Sequence, residues 1–475
     1  MAFGRELHRL LIALLLMFMG IGLAAAYWAV TGPDALLDRE DNPRRVLADA
    51  AVRRGAIFDR GGEALVRSFP QQDNTMRRVY LYPETASALG YFSQRYGAGG
   101  LEAAFDTALR GADRPINLSE ALTAQLLHRP QVGSDIQLTL DVDVQRTVAQ
   151  AMAGQRGAAV VMAIPSGQIL SMVSLPTFDP NRLDADWNTL TADPGNPFFN
   201  RVLQGRYQPG AALQTPLIAA ALLLDQPLDV EYRSASQPYA LDGLQLECAV
   251  RLPPLSLSLR EAYSFGCPTA FAAFAQNIDA GVLQATFDTF QLDLRPLIDG
   301  AVSTSDPLSN APVEIDDANY LQNALGQGEQ TVTPLSMVMI AASLINDGNT
   351  PYPTLLLGTR PPDSDSWLAT LPSAPTIPFT TLETASRLQD LMRAAVAEGA
   401  AQNAGRPNID IGGHTALAYS GDTTLAWFIG FATLGGRDAA AVAVVLEGSG
   451  DAGLAADIGG TALQAAGRAL RQSGS

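Results

Sequence analysis

The sequence predicts an α+β fold in which an antiparallel sheet is covered by helices, preceded by a small mixed module and one transmembrane helix. Strand patterns recur near both ends of the larger region, helical patterns lie between them, and a long apolar run opens the chain. Such an order implies a sheet with helices packed on its faces. The 475 residues suffice for two or three domains. The predicted bounds are 1–9 for a cytoplasmic tail, 10–30 for the anchor, 31–133 for a pedestal domain and 134–475 for the larger domain.

The anchor is the first predicted element. Residues 10–30 form an uncharged run of 21 residues, which is long enough to cross a bilayer as a helix. Arg5 and Arg9 precede the run, so the arginine bias predicts a cytoplasmic N-terminus and an extracytoplasmic remainder. The alternative is a cleaved signal peptide, for which residues 24–26 supply small side chains. We expect a retained single-pass anchor in the cell membrane, because the run exceeds a usual signal core and includes an aromatic pair suited to a membrane interface.

The charge balance excludes one class of partner and one kind of chemistry. A formal net charge of −17 argues against nucleic acid, which requires a basic face. All 31 basic residues are arginine, and no lysine occurs. A genome biased towards arginine codons would explain that absence, but in either case no mechanism in this chain can use a lysine. We expect no cofactor and no metal ion.

Two cysteines, Cys248 and Cys267, follow the anchor and are therefore expected in a compartment where disulfides persist. A bond between them would close a loop of about 20 residues and contribute roughly 3 kcal/mol by reducing the entropy of the unfolded chain. The alternative is a pair of buried free thiols that act as small apolar residues. We favour the disulfide slightly.

Residues 31–133, the pedestal region, are predicted to form a small module of short strands and helices. Gly61 and Gly62 mark a turn between the apolar segments 56–58 and 64–66, which predicts a hairpin. Further glycine-rich turns introduce a short helix that ends near Gly111. The region lacks the pattern of a long helix, so we expect a platform or contact surface.

Regular patterns begin near Ser134. The alternation at residues 136–140 predicts a half-buried strand, and Asp141 is placed to cap a helix with apolar residues along one face. The remaining predicted elements are strands at 158–164 and 169–175, a hairpin of strands 426–432 and 439–446 around a turn at 435–438, and a final helix at 453–471.

Seven segments in a fixed order resemble the class B penicillin-binding proteins, the peptidoglycan D,D-transpeptidase family. The segments are 54–60, 167–174, 178–181, 200–210, 326–329, 333–335 and 426–432. The resemblance extends from the anchor to the last helix. It implies a pedestal, or dimerisation-like, domain followed by a penicillin-binding transpeptidase domain.

The family's chemistry depends on three motifs, Ser-x-x-Lys, Ser-x-Asn and Lys-Thr-Gly. The first serine attacks a D-Ala–D-Ala carbonyl after the lysine accepts its proton. The resemblance implies that the second motif relays protons and holds the substrate amide, and that the third aligns the peptide and attracts its carboxylate.

The first two motifs are degenerate in this sequence. Ala211 stands at the position of the nucleophilic serine and Gln214 at that of its lysine. In the second motif, Gly266 replaces the serine and Pro268 replaces the asparagine. Codon bias would explain a lost lysine but not alanine in place of serine or proline in place of asparagine, so we expect no acylation by substrate or by β-lactams.

The third motif keeps one residue of three. His414 replaces its lysine and Ala416 its last glycine, while Thr415 remains. Ser264 and Ser420 lie near the second and third motifs, but neither falls at the nucleophile position. A Ser–His pair built on His414 is a conceivable rescue. The more ordinary interpretation is that His414 is an exposed or hydrogen-bonded strand residue.

The expected function is a pseudo-transpeptidase that acts as a scaffold or regulator in extracytoplasmic peptidoglycan (cell wall) synthesis, in cell division or in elongation. By resemblance, its partners are the cytoplasmic membrane, a membrane glycosyltransferase that contacts the anchor and pedestal, and peptidoglycan itself. Two alternatives remain open at this point. One is a non-covalent binder of peptidoglycan stem peptides, and the other, ranked last, is an active D,D-transpeptidase with atypical catalytic residues.

Overall fold

The computed structural model describes residues 2–37, 50–73, 75–112, 131–292, 298, 313–370, 376–435 and 438–473. Its described helices are α1 Ala2–Leu37, α2 Ala86–Leu89, α3 Leu101–Ala104, α4 Asp106–Arg110, α5 Val142–Ala151, α6 Leu183–Ala192, α7 Gln214–Leu223, α8 Leu259–Ser264, α9 Pro268–Ala275, α10 Ala280–Thr289, α11 Tyr320–Ala324, α12 Pro334–Ile345, α13 Leu382–Glu398 and α14 Ala452–Ser473.

The strands are mostly short, and the long ones lie near the C-terminus. They are β1 Ile57–Phe58, β2 Ala64–Pro70, β3 Met76–Tyr80, β4 Tyr91–Ser93, β5 Gly97–Gly99, β6 Asp135–Leu138, β7 Gly157–Ile164, β8 Ile169–Leu175, β9 Glu231–Tyr232, β10 Tyr239–Leu241, β11 Leu244–Leu246, β12 Leu257–Ser258, β13 Asn349–Thr350, β14 Leu356–Arg360, β15 Leu368–Ala369, β16 Ile377–Pro378, β17 Asp410–Ser420, β18 Thr423–Gly435 and β19 Asp438–Glu447.

The chain divides into two compact units. The smaller one comprises Met1–Arg53, Phe69–Arg77 and Ile116–Gln131, and the larger one comprises the remaining residues. Within the smaller unit, α1 contains His8–Trp28, a segment of 21 residues that is apolar and long enough to cross a membrane. The predicted anchor therefore forms a helix of the required length.

The larger unit is built on a five-stranded antiparallel sheet with the order β17-β18-β19-β7-β8. Side chains of β18 alternate between two cores, as the pleat of a strand requires. Trp427 and Ile429 join the core that includes α12, whereas Ala426 and Phe428 join the core that includes α14. The predicted antiparallel sheet with helices on its faces is confirmed.

The predicted local elements are present. The hairpin of β1 and β2 turns at residues 59–63, and α4 ends at Arg110 with Gly111 in the left-handed conformation after it. Asp141 caps α5 by accepting hydrogen bonds from the backbone amides of Asp143 and Val144. The predicted turn at 435–438 lies partly outside the described residues.

Strand β6 belongs to a second sheet, with the order β15-β14-β6-β1-β2-β3. It pairs in parallel with β1, Ile136 opposite Ile57. This sheet therefore combines the first segment of the larger predicted domain with pedestal strands.

The pedestal ion cluster consists of Arg54, Arg78, Glu102 and Asp106. The Glu102 carboxylate is fully buried and accepts hydrogen bonds from Arg54 Nη2 at 2.9 Å and Arg78 Nε at 2.8 Å. Arg54 also pairs with Asp106. Burial alone would raise the pKa of Glu102, but Arg78 and Arg54 outweigh that effect and lower it.

Candidate functional site

The nucleophile position lies at the start of α7, where the chain enters through a tight 3-10 turn, Gly210–Leu213. Gly210 has φ +52°, and a side-chain carbon there would lie 2.2 Å from the Leu417 carbonyl oxygen of β17, so only glycine fits. Ala211, at the serine position, is buried. Its carbonyl oxygen lies 3.1 Å from His414 Nε2.

Gln214 occupies the lysine position and is 3% exposed. Its Nε2 donates a hydrogen bond to the Cys267 carbonyl oxygen at 3.1 Å, whereas its Oε1 has no partner among the described residues. A neutral amide therefore bridges the first and second motifs at the position where the family uses a base.

The second-motif turn, residues 265–267, ends at α9. Pro268 is the first residue of that helix, where a missing amide hydrogen is not needed, so proline is locally compatible with the position of the asparagine. Gly266 has φ +62°, and a side-chain carbon there would lie 2.7 Å from the Thr415 carbonyl oxygen. A serine at Gly266 would therefore require the turn to move away from β17. The structure joins Cys267 to Cys248 by a disulfide.

The third motif lies on β17, at the edge of the five-stranded sheet. His414 is fully buried, and its ring stacks on Tyr263 with 4.2 Å between the ring centroids. Thr415 is 1% exposed, and its hydroxyl has no partner among the described residues. Of the two ordinary interpretations of His414, the exposed one is wrong and the hydrogen-bonded one is confirmed, because the turn at Gly210–Leu213 and Tyr263 of α8 lie against the side chain.

Burial determines the charge of His414. Burial lowers its pKa to about 4, against the smaller opposing effect of the hydrogen bond to the Ala211 carbonyl. The imidazole is therefore neutral at pH 7 and does not replace the cation of the missing lysine. Its Nε2 contacts a backbone carbonyl rather than a serine hydroxyl, so the geometry gives no Ser–His pair.

The structure brings all three degenerate motifs together. Ala211 contacts His414, Gln214 contacts Cys267, and Gly266 lies against Thr415. Ser264 lies apart from these contacts at the end of α8, where its hydroxyl donates to the Arg260 carbonyl, and Ser420 is exposed at the end of β17. Among the described residues at the motif positions, Gln214, His414 and Thr415 carry the polar side chains, and none of these is charged at pH 7.

Two supporting residues, Tyr263 and Glu447, were not predicted from the sequence, because no local pattern marks their contacts. Tyr263 stacks on His414, and its hydroxyl lies 2.9 Å from the Thr215 hydroxyl. At the approach to α7, Glu447 accepts hydrogen bonds from Arg201 at 2.8 Å and from Tyr207 at 2.7 Å. Only the fold brings residues so distant in sequence into contact.

Two family models match the chain. The penicillin binding protein transpeptidase domain matches residues 157–464, and the penicillin binding protein A dimerisation domain matches residues 54–136. The peptidoglycan D,D-transpeptidase PbpA of Mycolicibacterium smegmatis is 30% identical over 97% of this chain and 98% of its own length. The PbpA protein of Mycobacterium tuberculosis is likewise 30% identical over 97% and 98%.

Solved structures of penicillin-binding proteins are also similar to this chain. The imipenem acyl-enzyme complex of penicillin-binding protein A from M. tuberculosis has a TM-score of 0.76 and 30% identity, covering 88% of this chain and 99% of that one. A D,D-transpeptidase domain from Eggerthella lenta has a TM-score of 0.74 and 25% identity, covering 89% and 99%. With the transpeptidase model spanning most of its length, this chain belongs to the class B penicillin-binding proteins, the peptidoglycan D,D-transpeptidase family.

Proposed function

We propose that this protein is a non-catalytic member of its family, a pseudo-transpeptidase that serves extracytoplasmic peptidoglycan synthesis as a scaffold or regulator. The observation that carries the proposal is the pair Ala211 and Gln214, buried at the positions of the nucleophile and its base. A methyl group has no lone pair, and an amide does not accept a proton at neutral pH.

The electrostatics of the cleft support the same conclusion. A D-Ala–D-Ala peptide ends in a carboxylate, which requires a cation or strong donors to compensate its desolvation. His414 is neutral at pH 7, and Gln214 already donates to the protein backbone. An active enzyme with atypical catalytic residues is therefore the weaker candidate.

Penicillin labelling of the full chain in membranes tests the proposal. M. tuberculosis penicillin-binding protein A is a suitable control, because its solved structures include acyl-enzyme complexes with imipenem and penicillin G. We expect the control to carry one fluorescent penicilloyl group by gel and intact mass, and this chain to carry none. A stoichiometric adduct on this chain would contradict the proposal, and mapping it would identify the nucleophile.

The anchor supports a proposed location, and the family resemblance supports a proposed partner. We propose that α1 spans the cell membrane once with Arg5 and Arg9 on the cytoplasmic side, and that a membrane glycosyltransferase contacts the anchor and pedestal. The detergent-solubilised chain should then co-purify with such an enzyme. Replacing His8–Trp28 by an unrelated span of equal length should weaken that association, and unchanged recovery would exclude a role for the anchor.

A further inference from the structure

The outer edge of β17 is the free edge of the five-stranded sheet, yet its residues are not exposed. Strand edges normally present unpaired backbone groups that accept an added strand. Here every residue from 411 to 418 is buried. Something within the chain therefore covers the edge.

The backbone groups of alternate β17 residues are directed to this edge. Gly266 lies against the Thr415 carbonyl, Gly210 lies against the Leu417 carbonyl, and the Tyr419 amide donates to Gln327 Oε1 at 3.3 Å. All three contacts come from segments that resemble the family: Gly210 ends segment 200–210, Gly266 begins the second motif, and Gln327 lies in segment 326–329. Among them, the approach of Gly266 is the one that a serine at the same position would prevent.

A short hairpin holds the second-motif turn in this position. We call residues 239–249, which contain β10 and β11, the cover hairpin. Its two-residue turn uses Asp242 and Gly243, both with positive φ, as a tight hairpin requires. Leu241 and Leu246 bury their side chains beneath it, and β11 contacts β17.

Four contacts fasten the cover hairpin to its surroundings. Asp242 accepts a hydrogen bond from Gln322 at 3.0 Å, and the Glu247 amide donates to the Tyr419 hydroxyl at 3.4 Å. The Ala249 amide donates to the Phe265 carbonyl at 3.0 Å, and the adjacent Cys248 is bonded to Cys267. The last two contacts tie the hairpin to both ends of the second-motif turn.

We propose that the cover hairpin is an internal closure of the former peptide-binding edge, held by the Cys248–Cys267 bond, so that β17 does not accept an extended stem peptide. This inference rests on the proposed non-catalytic function and deepens it. On this proposal the protein's own chain covers the outer edge of β17. The chain would then lack both the catalytic residues and an edge that a stem peptide can reach.

Hydrogen–deuterium exchange of the full chain in detergent tests the closure. In the wild type we expect slow exchange throughout the buried residues 411–418. In the Cys248→Ala/Cys267→Ala variant, the outer-edge amides of Thr415 and Leu417 should exchange at least about tenfold faster, while those of His414 and Ala416, which face β18, remain slow. Unchanged outer-edge exchange in the variant, or fast exchange in the wild type, would overturn the proposal.

A second pair of variants keeps the test decisive if the cysteine variant unfolds. Gly266→Ala and Gly421→Ala each place a side chain at a left-handed position, with φ +62° and +57°, but only Gly266 is crowded. We expect Gly266→Ala to accelerate exchange at Thr415 and Gly421→Ala to leave it unchanged. Equal effects of the two variants would mean that the turn does not hold the edge closed.

Calorimetry with a synthetic acyl-D-Ala-D-Ala peptide separates the two proposals. The wild type should give no binding heat. Non-covalent binding by a wild type that forms no penicilloyl adduct would overturn the closure alone. An adduct with penicillin would overturn the non-catalytic function as well.

Discussion

The three motif positions and the pedestal ion cluster are both buried, but only the ion cluster contains charged side chains. The pedestal keeps two buried arginines around the fully buried Glu102. The cleft, equally buried, holds the neutral Gln214 and a neutral His414 where the family places two lysines. A buried charge persists when its partner is a residue of the same chain. If catalysis is lost, as we propose, a lysine buried at the motif positions would have neither a reacting group nor a substrate carboxylate to compensate its charge.

The largest expected effect is in the pedestal. Glu102→Ala leaves Arg54 and Arg78 buried without their shared carboxylate, and we expect a loss of about 3–5 kcal/mol in the free energy of unfolding. Urea unfolding of the full chain in detergent measures it. The matched control is Glu383→Ala, because Glu383 forms an exposed pair with Arg387 at 4.0 Å and should change stability by less than about 1 kcal/mol. Equal effects would show that the buried ion cluster contributes no more to stability than an exposed pair.

The next effect is a pH dependence that originates in the cleft. The pKa of His414 is about 4 in the folded protein against an ordinary 6.5, so the unfolded chain binds the proton first as pH falls. Stability contributed by the neutral imidazole is complete above about pH 6.5, and about 3 kcal/mol is lost as pH falls to 4.

The His414→Gln variant isolates this contribution. Carboxylates titrate in both proteins, so the difference between wild type and variant at each pH reports His414 alone. We expect the variant to lose less stability than the wild type between pH 6.5 and 4. Parallel curves would show that the imidazole is already protonated or exposed in the folded state.

A smaller effect distinguishes two buried threonines. Thr215→Val leaves the Tyr263 hydroxyl without its partner and should cost about 1–3 kcal/mol. Thr415→Val removes a buried hydroxyl that has no partner among the described residues, so it should be neutral or slightly stabilising. Thermal unfolding of both variants measures the difference. A large cost at Thr415 would indicate that its hydroxyl is still used.

The smallest expected effect is no effect at all. Ala211→Ser restores a hydroxyl at the nucleophile position but not a base, because Gln214 is an amide and burial lowers the pKa of His414. We expect no penicilloyl adduct by intact mass. Ala211→Gly, which adds no hydroxyl, is the control. An adduct on the serine variant alone would show that His414 can act as the base.

The sequence alone determined the family and the α+β architecture, and it supplies the residues from which we propose the loss of acylation chemistry. These depend on residue identity and periodicity, which are local properties: alanine at position 211 has no lone pair in any conformation, and the strands of the C-terminal hairpin show their pattern directly. A glycine at position 266 is compatible with a left-handed backbone, which the sequence therefore allows. The sequence does not predict that Gly266 lies against Thr415.

Only the tertiary structure decided what the degenerate site has become. The neutrality of His414 depends on its burial against the turn at Gly210–Leu213 and Tyr263 of α8, and the closure of β17 depends on a hairpin about 170 residues away in sequence. Glu102 likewise pairs with two arginines from other segments, and nothing in the sequence of these segments predicts that they meet. Exposure, pKa and access result from long-range packing, and no pattern within a single segment encodes them.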